Sequence, residues 1–147
     1  MREVTVPDTL HDLLDFLLPF AQAMLAERES FLPFGAGLTA DRTVAPTPSL
    51  TDHPLGSAET SLAKLFTALQ RQASSGDIQA AGICTNVIVT LRGAQRPTHA
   101  ICLELEDRSG EAVEIIIPYV RGSDASPEFK DALVTAVEPC LFVRRGD

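Results

Sequence analysis

Paired cysteines, an excess of positive charge and an uninterrupted apolar run are all missing from this sequence. The three cysteines, Cys84, Cys102 and Cys140, are odd in number and widely spaced, with no CxxC. That excludes a disulfide framework and reads as reduced thiols in a cytosolic protein. Lys and Arg total 12 against 20 Asp and Glu, for a net charge of -8 and a pI near 4.8. A broad nucleic-acid surface needs clustered cations to displace counterions, and so does docking on an anionic membrane. Neither partner is expected, whereas a basic protein partner would suit the charge. The most apolar stretch, residues 10–26, is broken by His11, Asp12, Asp15, Pro19 and Gln22, so it is no membrane span. The opening "MREVTVPDTLHD" has no long apolar run with a small-residue cleavage site, so no signal peptide is expected.

Catalytic signatures are also absent. His11, His53 and His99 lie far apart, without HxH, HExxH or a His/Cys cluster to suggest zinc. No GxGxxG or GxSxG occurs. A nucleophilic cysteine needs a base and an electropositive setting. Cys84 and Cys102 are expected on adjacent strands and on one sheet face, with His99 on the other. Glu104 and Glu106 beside Cys102 would raise a thiol pKa rather than lower it. The cysteines therefore read as structural, and no catalytic, cofactor or metal residue is assigned.

What remains is a compact chain. Its 147 residues suit a single domain, and 45% hydrophobic content is enough for a core. Leu10, Leu13, Leu14, Leu17, Phe20, Ala21, Met24 and Leu25 follow helical spacing through Pro19, where a kink is expected. Thr9 with Asp12 offers a weak capping box. Residues 34–39 and 43–46 can pair as a hairpin, with Pro46 and Pro48 placing the second strand at an edge. A second helix runs from a Ser57 cap to Gly76, with Leu62, Leu65, Phe66, Leu69 and Ala73 on one face.

Three strands follow as an antiparallel meander, turning at "RGAQRP" and "DRSGE". Ile83, Thr85, Val87 and Val89 are read on the same face as Ile101, Leu103, Leu105, Val113, Ile115, Ile117 and Tyr119. The other face is mixed, and Ile88, Cys102, Ile116 and Val120 form a candidate interface there, to be covered by the tail or a second subunit. Glu104, Glu106 and Glu114 read as a solvated acidic stripe. In the tail, "SPEF" suggests a short helix start, whereas "LVTAV" and "CLFV" also suit extended chain.

The most distinctive string is "FLPFGAGL", residues 31–38. Its glycines do not have phosphate-loop spacing, and a hairpin follows them instead of a helix. The stretch reads as a helix-to-strand junction: Pro33 restrains Leu32, Phe31 and Phe34 anchor the turn, and Gly35 and Gly37 admit a close neighbour. A small-molecule contact built from Gly35, Gly37 and Tyr119 is the competing reading.

The order helix, hairpin, helix, meander over about residues 8–137 resembles that of roadblock domains, an αββαβββα scaffold used in dimeric regulatory assemblies. The helix-FLPFGA-hairpin opening and late Pro118-Tyr119 strand also look like a family of small uncharacterised bacterial proteins, a likeness that implies no activity. The expectation is an α+β fold with an antiparallel sheet of about five strands, helices on one face, and order αββαβββ plus a helical or extended tail. The functional expectation is a non-enzymatic regulatory or interaction module in the bacterial cytoplasm, with a protein partner or itself as homodimer. The alternatives are an immunity protein for a basic toxin, and a small-molecule-binding domain or unrecognised enzyme.

Overall fold

The computed structural model describes residues 5–47, 58–121 and 126–142. The expected Ser57 cap, Pro48 and His53 lie outside the described residues. The fold is α+β, with two helices packed on a seven-stranded antiparallel sheet. Helix α1 is Asp8–Glu27 and α2 is Ala58–Ser75. The strands are β1 (Phe34–Leu38), β2 (Val44–Pro46), β3 (Ala80–Val89), β4 (Thr98–Asp107), β5 (Ala112–Arg121), β6 (Pro127–Phe129) and β7 (Leu133–Ala136). The spatial order is β2-β1-β3-β4-β5-β6, with β7 also on β5.

Helix α1 buries Leu10, Leu13, Leu17, Ala21 and Leu25, the stripe its sequence spacing describes. It runs through Pro19, which is exposed, so the Asp15 carbonyl deprived of its N–H donor lies on the solvent side of the helix. The expected Thr9–Asp12 box does not form. Helix α1 has no side-chain cap bond, and the Thr9 hydroxyl donates instead to Asp107 Oδ2 (2.6 Å), at the end of β4. Helix α2 ends as its sequence suggests, at Gly76 with φ +83°.

The helices do not share a face. Leu17 of α1 lies over Gly82, and Leu65 of α2 lies over Gly35. Gly35 pairs with Ile83, the neighbour of Gly82, so the two contacts are on opposite sides of the sheet. Two apolar clusters result. One joins α1 to Cys84, Ile101, Leu103, Leu105, Val113, Ile115, Ile117 and Tyr119. The other joins α2 to Ile78, Ala81, Ile83 and Leu141. The small residues Gly35, Gly37, Ala80, Ala81 and Gly82 let both helices approach this part of the sheet. For the same reason the β3 side-chain phase was illegible. Ile83, Thr85 and Val87 pair with Glu104, Cys102 and Ala100, so they belong to the α2 face rather than to the face of Leu103.

The tail forms strands rather than the "SPEF" helix. Residues β6 pair with Tyr119–Arg121 and β7 with Val113–Ile116, which covers the outer edge of β5. Pro127 opens β6, a position where its missing N–H is tolerated.

Candidate functional site

The ladder bonds determine where backbone groups point. Arg108 N–H donates to Gln79 O (2.8 Å), and Asp107 N–H donates to Glu111 O (2.9 Å). With the register of β3 on β4, the first bond turns the odd-numbered residues of β3 toward β4 and the even-numbered ones toward β1. Gly82 and Cys84 meet their β1 partners there. Strand β1 begins only at Phe34, opposite Cys84, while β3 continues to Val89. The N–H and C=O groups of Asn86 and Ile88 therefore point past the end of β1, with no backbone partner among the described residues.

The reason lies in residues 28–33. Phe31 is buried in the α1 core, so the chain crosses from α1 toward the sheet instead of running along β3. Arg121 donates to the carbonyls of Leu25 (3.0 Å) and Arg28 (2.7 Å), closing the end of α1. Tyr119 O–H donates to Asn86 Oδ1 (2.7 Å), and Asn86 Nδ2 donates to Ser30 Oγ (2.9 Å). Segment 28–33 is thus joined to β3 through the Asn86 side chain, with no backbone bond to it among the described residues, and a groove of about 870 Å³ opens beside it on the α2 face. Phe31, Leu32 and Pro33 form one wall, and Leu62 of α2 closes an end. Ile83, Thr85, Val87, Cys102 and Ile116 lie along the sheet, with Glu104 and Glu114 among them.

Glu104 and Glu114 face each other across β4 and β5, and neither forms an ion pair among the described residues. Loss of solvation, then the charges of Glu114 and Glu106, raise the Glu104 pKa. Burial, then Glu104 and Glu114, push the Cys102 thiol up to about 12. Ligand atoms of Cys102, Glu104 and Glu114 lie within 4.8 Å of one another. A metal would have to displace the thiol proton, and a trio of this kind does not make a site by itself. Cys84 is raised further by burial, and Cys140 is pushed up to about 11 by burial and Glu106. All three cysteines are protonated at neutral pH, which makes them poor nucleophiles.

The raised Glu104 pKa has a defined sign. Between the unfolded and the higher folded value, the folded chain binds more protons, so the ionised carboxylate opposes folding as pH rises. Glu104→Gln is expected to raise Tm at pH 7, and the gain should shrink as pH falls through the carboxylate range. Thermal unfolding of both proteins at pH 7 and pH 4 measures this. A lower Tm for the variant at pH 7 would contradict it.

The predicted residues are distributed differently from expectation. Gly35 and Gly37 are buried against Leu65 and Ile78 on the α2 face. Tyr119 is 2% exposed on the α1 face, between His99 and Phe129. The three do not form one site, and the small-molecule contact drawn from them is not assembled. Of the candidate interface, Cys102 and Ile116 line the groove. Ile88, 67% exposed, stands at its rim with its side chain on the α1 face, paired with His99. Val120 is exposed on the α2 face outside the groove. Cys84 and Cys102 occupy opposite faces, because Cys84 pairs with Leu103 and Thr85 with Cys102.

Sequence reasoning missed three polar devices. Glu106 is not part of a solvated stripe. It is 5% exposed, and its carboxylate accepts backbone N–H bonds from Cys140 (2.9 Å), Leu141 and Phe142 (2.8 Å). Asp107 gathers Thr9, both donors of Ser109 and the Glu111 amide. Burial pulls its carboxyl up, but the hydrogen bonds outweigh that and hold it below the usual range. The Asp-x-Ser order in "DRSGE" is a local signal for that turn, whereas nothing local marks Glu106 or Asn86. Comparison of the chain with protein-family models, curated proteins and solved structures returns no match.

Proposed function

We propose that the chain is a non-enzymatic protein-interaction module that works through the groove between segment 28–33 and the part of β3 that extends past β1. One observation carries this reading. The backbone groups of Asn86 and Ile88 lie open beside an apolar groove, in a sheet whose β5 edge is covered by its own tail. Natural sheets usually protect such edges, since exposed ladder groups recruit other chains. The roadblock-like order αββαβββ survives through β5 and supports an interaction role at the level of element order alone. High thiol pKa values at Cys102 and Cys140 fit a surface without nucleophilic chemistry.

A second reading has one feature in its favour. The groove volume, about 870 Å³, lies within the range of small-molecule sites. Site-resolved photo-cross-linking in the native cell separates the two. A photoreactive residue at Ile88 should give a discrete protein adduct, and the same residue at Arg71, on the exposed side of α2, should not. Equal labelling from both positions, or no protein adduct from Ile88, would count against the interaction reading.

A further inference from the structure

We infer that the occupant of the groove is an extended peptide segment that adds to β3 as a strand and sets a lysine or arginine against Glu104 and Glu114. This rests on the interaction reading above and specifies the chemistry of the partner.

The backbone argument comes first. Asn86 and Ile88 each present one donor and one acceptor at strand spacing. An extended chain meets that pattern, whereas a helix satisfies its backbone internally. A strand beside β3 sends alternate side chains into the groove, over Thr85 and Val87. Leu32, Pro33, Val87 and Ile116 supply apolar contact for those side chains.

Charge then selects among extended segments. Glu104 and Glu114 form a cross-strand like-charge pair without an ion-pair partner among the described residues. Like charges directly opposite each other destabilise a sheet, and a bound cation would relieve the repulsion. Reach is adequate: an added strand lies about two strand spacings from β4, and Glu104 is two residues along β4 from Cys102, the partner of Thr85, so the diagonal is roughly 12 Å. A lysine or arginine and a glutamate together span that distance. The route passes over Thr85 and Cys102, a cross-strand pair of small side chains. Arg28 also borders the groove, but it makes no ion pair with either glutamate. A second copy of the chain is disfavoured as occupant because it would bring another net charge of -8 to an acidic surface.

Panning a phage-displayed library of random dodecapeptides on the immobilised protein tests the proposal. Enriched peptides should alternate apolar residues and carry lysine or arginine on the groove-facing side. In the complex, the Asn86 and Ile88 amides should become protected from hydrogen exchange. Affinity for the Glu104→Gln/Glu114→Gln double variant should fall by about tenfold, or 1.4 kcal/mol. These substitutions keep side-chain shape and remove the repulsion, so the variant should remain folded, which its Tm verifies. No enrichment would overturn the proposal, as would peptides without basic residues that bind both proteins equally. Concentration-dependent protection of Asn86 and Ile88 without peptide would assign the edge to a second copy. The last two outcomes defeat the basic-strand proposal but leave the interaction reading standing. That reading falls if Ile88 cross-links no protein, or labels no more than Arg71 does.

Discussion

Replacing Glu106 with alanine is expected to destabilise the protein by about 3 kcal/mol, one of the largest effects of any polar substitution here. The Glu106 carboxylate is the acceptor for three consecutive backbone N–H groups, at Cys140, Leu141 and Phe142. Without it, two outcomes are open to the chain, and both are costly. If the turn stays in place, the buried Leu141 donor is left unpaired, at roughly 1 to 3 kcal/mol, along with the part-buried donors of Cys140 and Phe142. If it detaches, Leu141, only 6% exposed, leaves the α2 cluster, which costs about 1.5 to 3 kcal/mol for one large side chain. The cheaper route bounds the loss, and the expected drop in Tm is roughly 6 to 12 °C for a chain of this size. Glu104→Ala is the internal control. Glu104 lies two residues away on the same strand and face, but it is exposed and repelled by Glu114. Urea unfolding of the two variants should move in opposite directions, or leave Glu104→Ala unchanged while Glu106→Ala falls. Equal, small losses would mean that the tail is not held by Glu106.

Gly35→Ala should be the second severe change. A Cβ at this position would lie 2.5 Å from the Gly82 carbonyl oxygen and 3.1 Å from Leu65 Cδ1. The carbonyl belongs to a central strand and cannot rotate away as a side chain could. Overpacking costs about 1 to 3 kcal/mol in well-packed cores, and this contact belongs at the upper end. Equilibrium unfolding measures the loss. The result also separates the two readings of "FLPFGAGL". A junction packed by Leu65 and Ile78 loses stability, whereas an open ligand contact would accept a methyl group without change in Tm.

The two predictions mark what the sequence could and could not reveal. Helical spacing in α1 and α2, the hairpin and the three long strands were legible, because each is a local pattern of apolar residues and turn formers. The face assignment of β3 was not. Ala80, Ala81 and Gly82 carry no alternation, and helices cover both sides, so neither face is polar there. The tail was ambiguous for a related reason. Residues 133–137 suit a strand or a helix in isolation, and only the uncovered edge of β5 decides for a strand. The expectation that both helices share a face failed on the same small residues, which admit Leu17 on one side and Leu65 on the other.

The candidate site was partly visible. Cys102, Ile116 and the carboxylates Glu104 and Glu114 were placed together on a mixed face, and they line the groove. The groove itself could not be read, because it depends on where β1 stops relative to β3. That limit is set by contacts distant in sequence: Tyr119 through Asn86 to Ser30, and Arg121 to the end of α1. Those bonds tie segment 28–33 to the Asn86 side chain and to β5 in place of a backbone ladder with β3. "FLPFGAGL" is therefore both a packed junction at its glycines and a wall of the groove at Phe31, Leu32 and Pro33.

Residue-resolved hydrogen exchange in the dilute, free protein tests the open edge most directly. The account predicts an alternation along β3. The amides of Thr85 and Val87, bonded to β4, should exchange slowly, together with those of Gly82 and Cys84, bonded to β1. The amides of Asn86 and Ile88 should exchange faster by about a hundredfold or more, as groups without a ladder partner do. Equal protection from Gly82 through Ile88 would contradict it, since the edge would then already be covered and the groove would have no strand to receive.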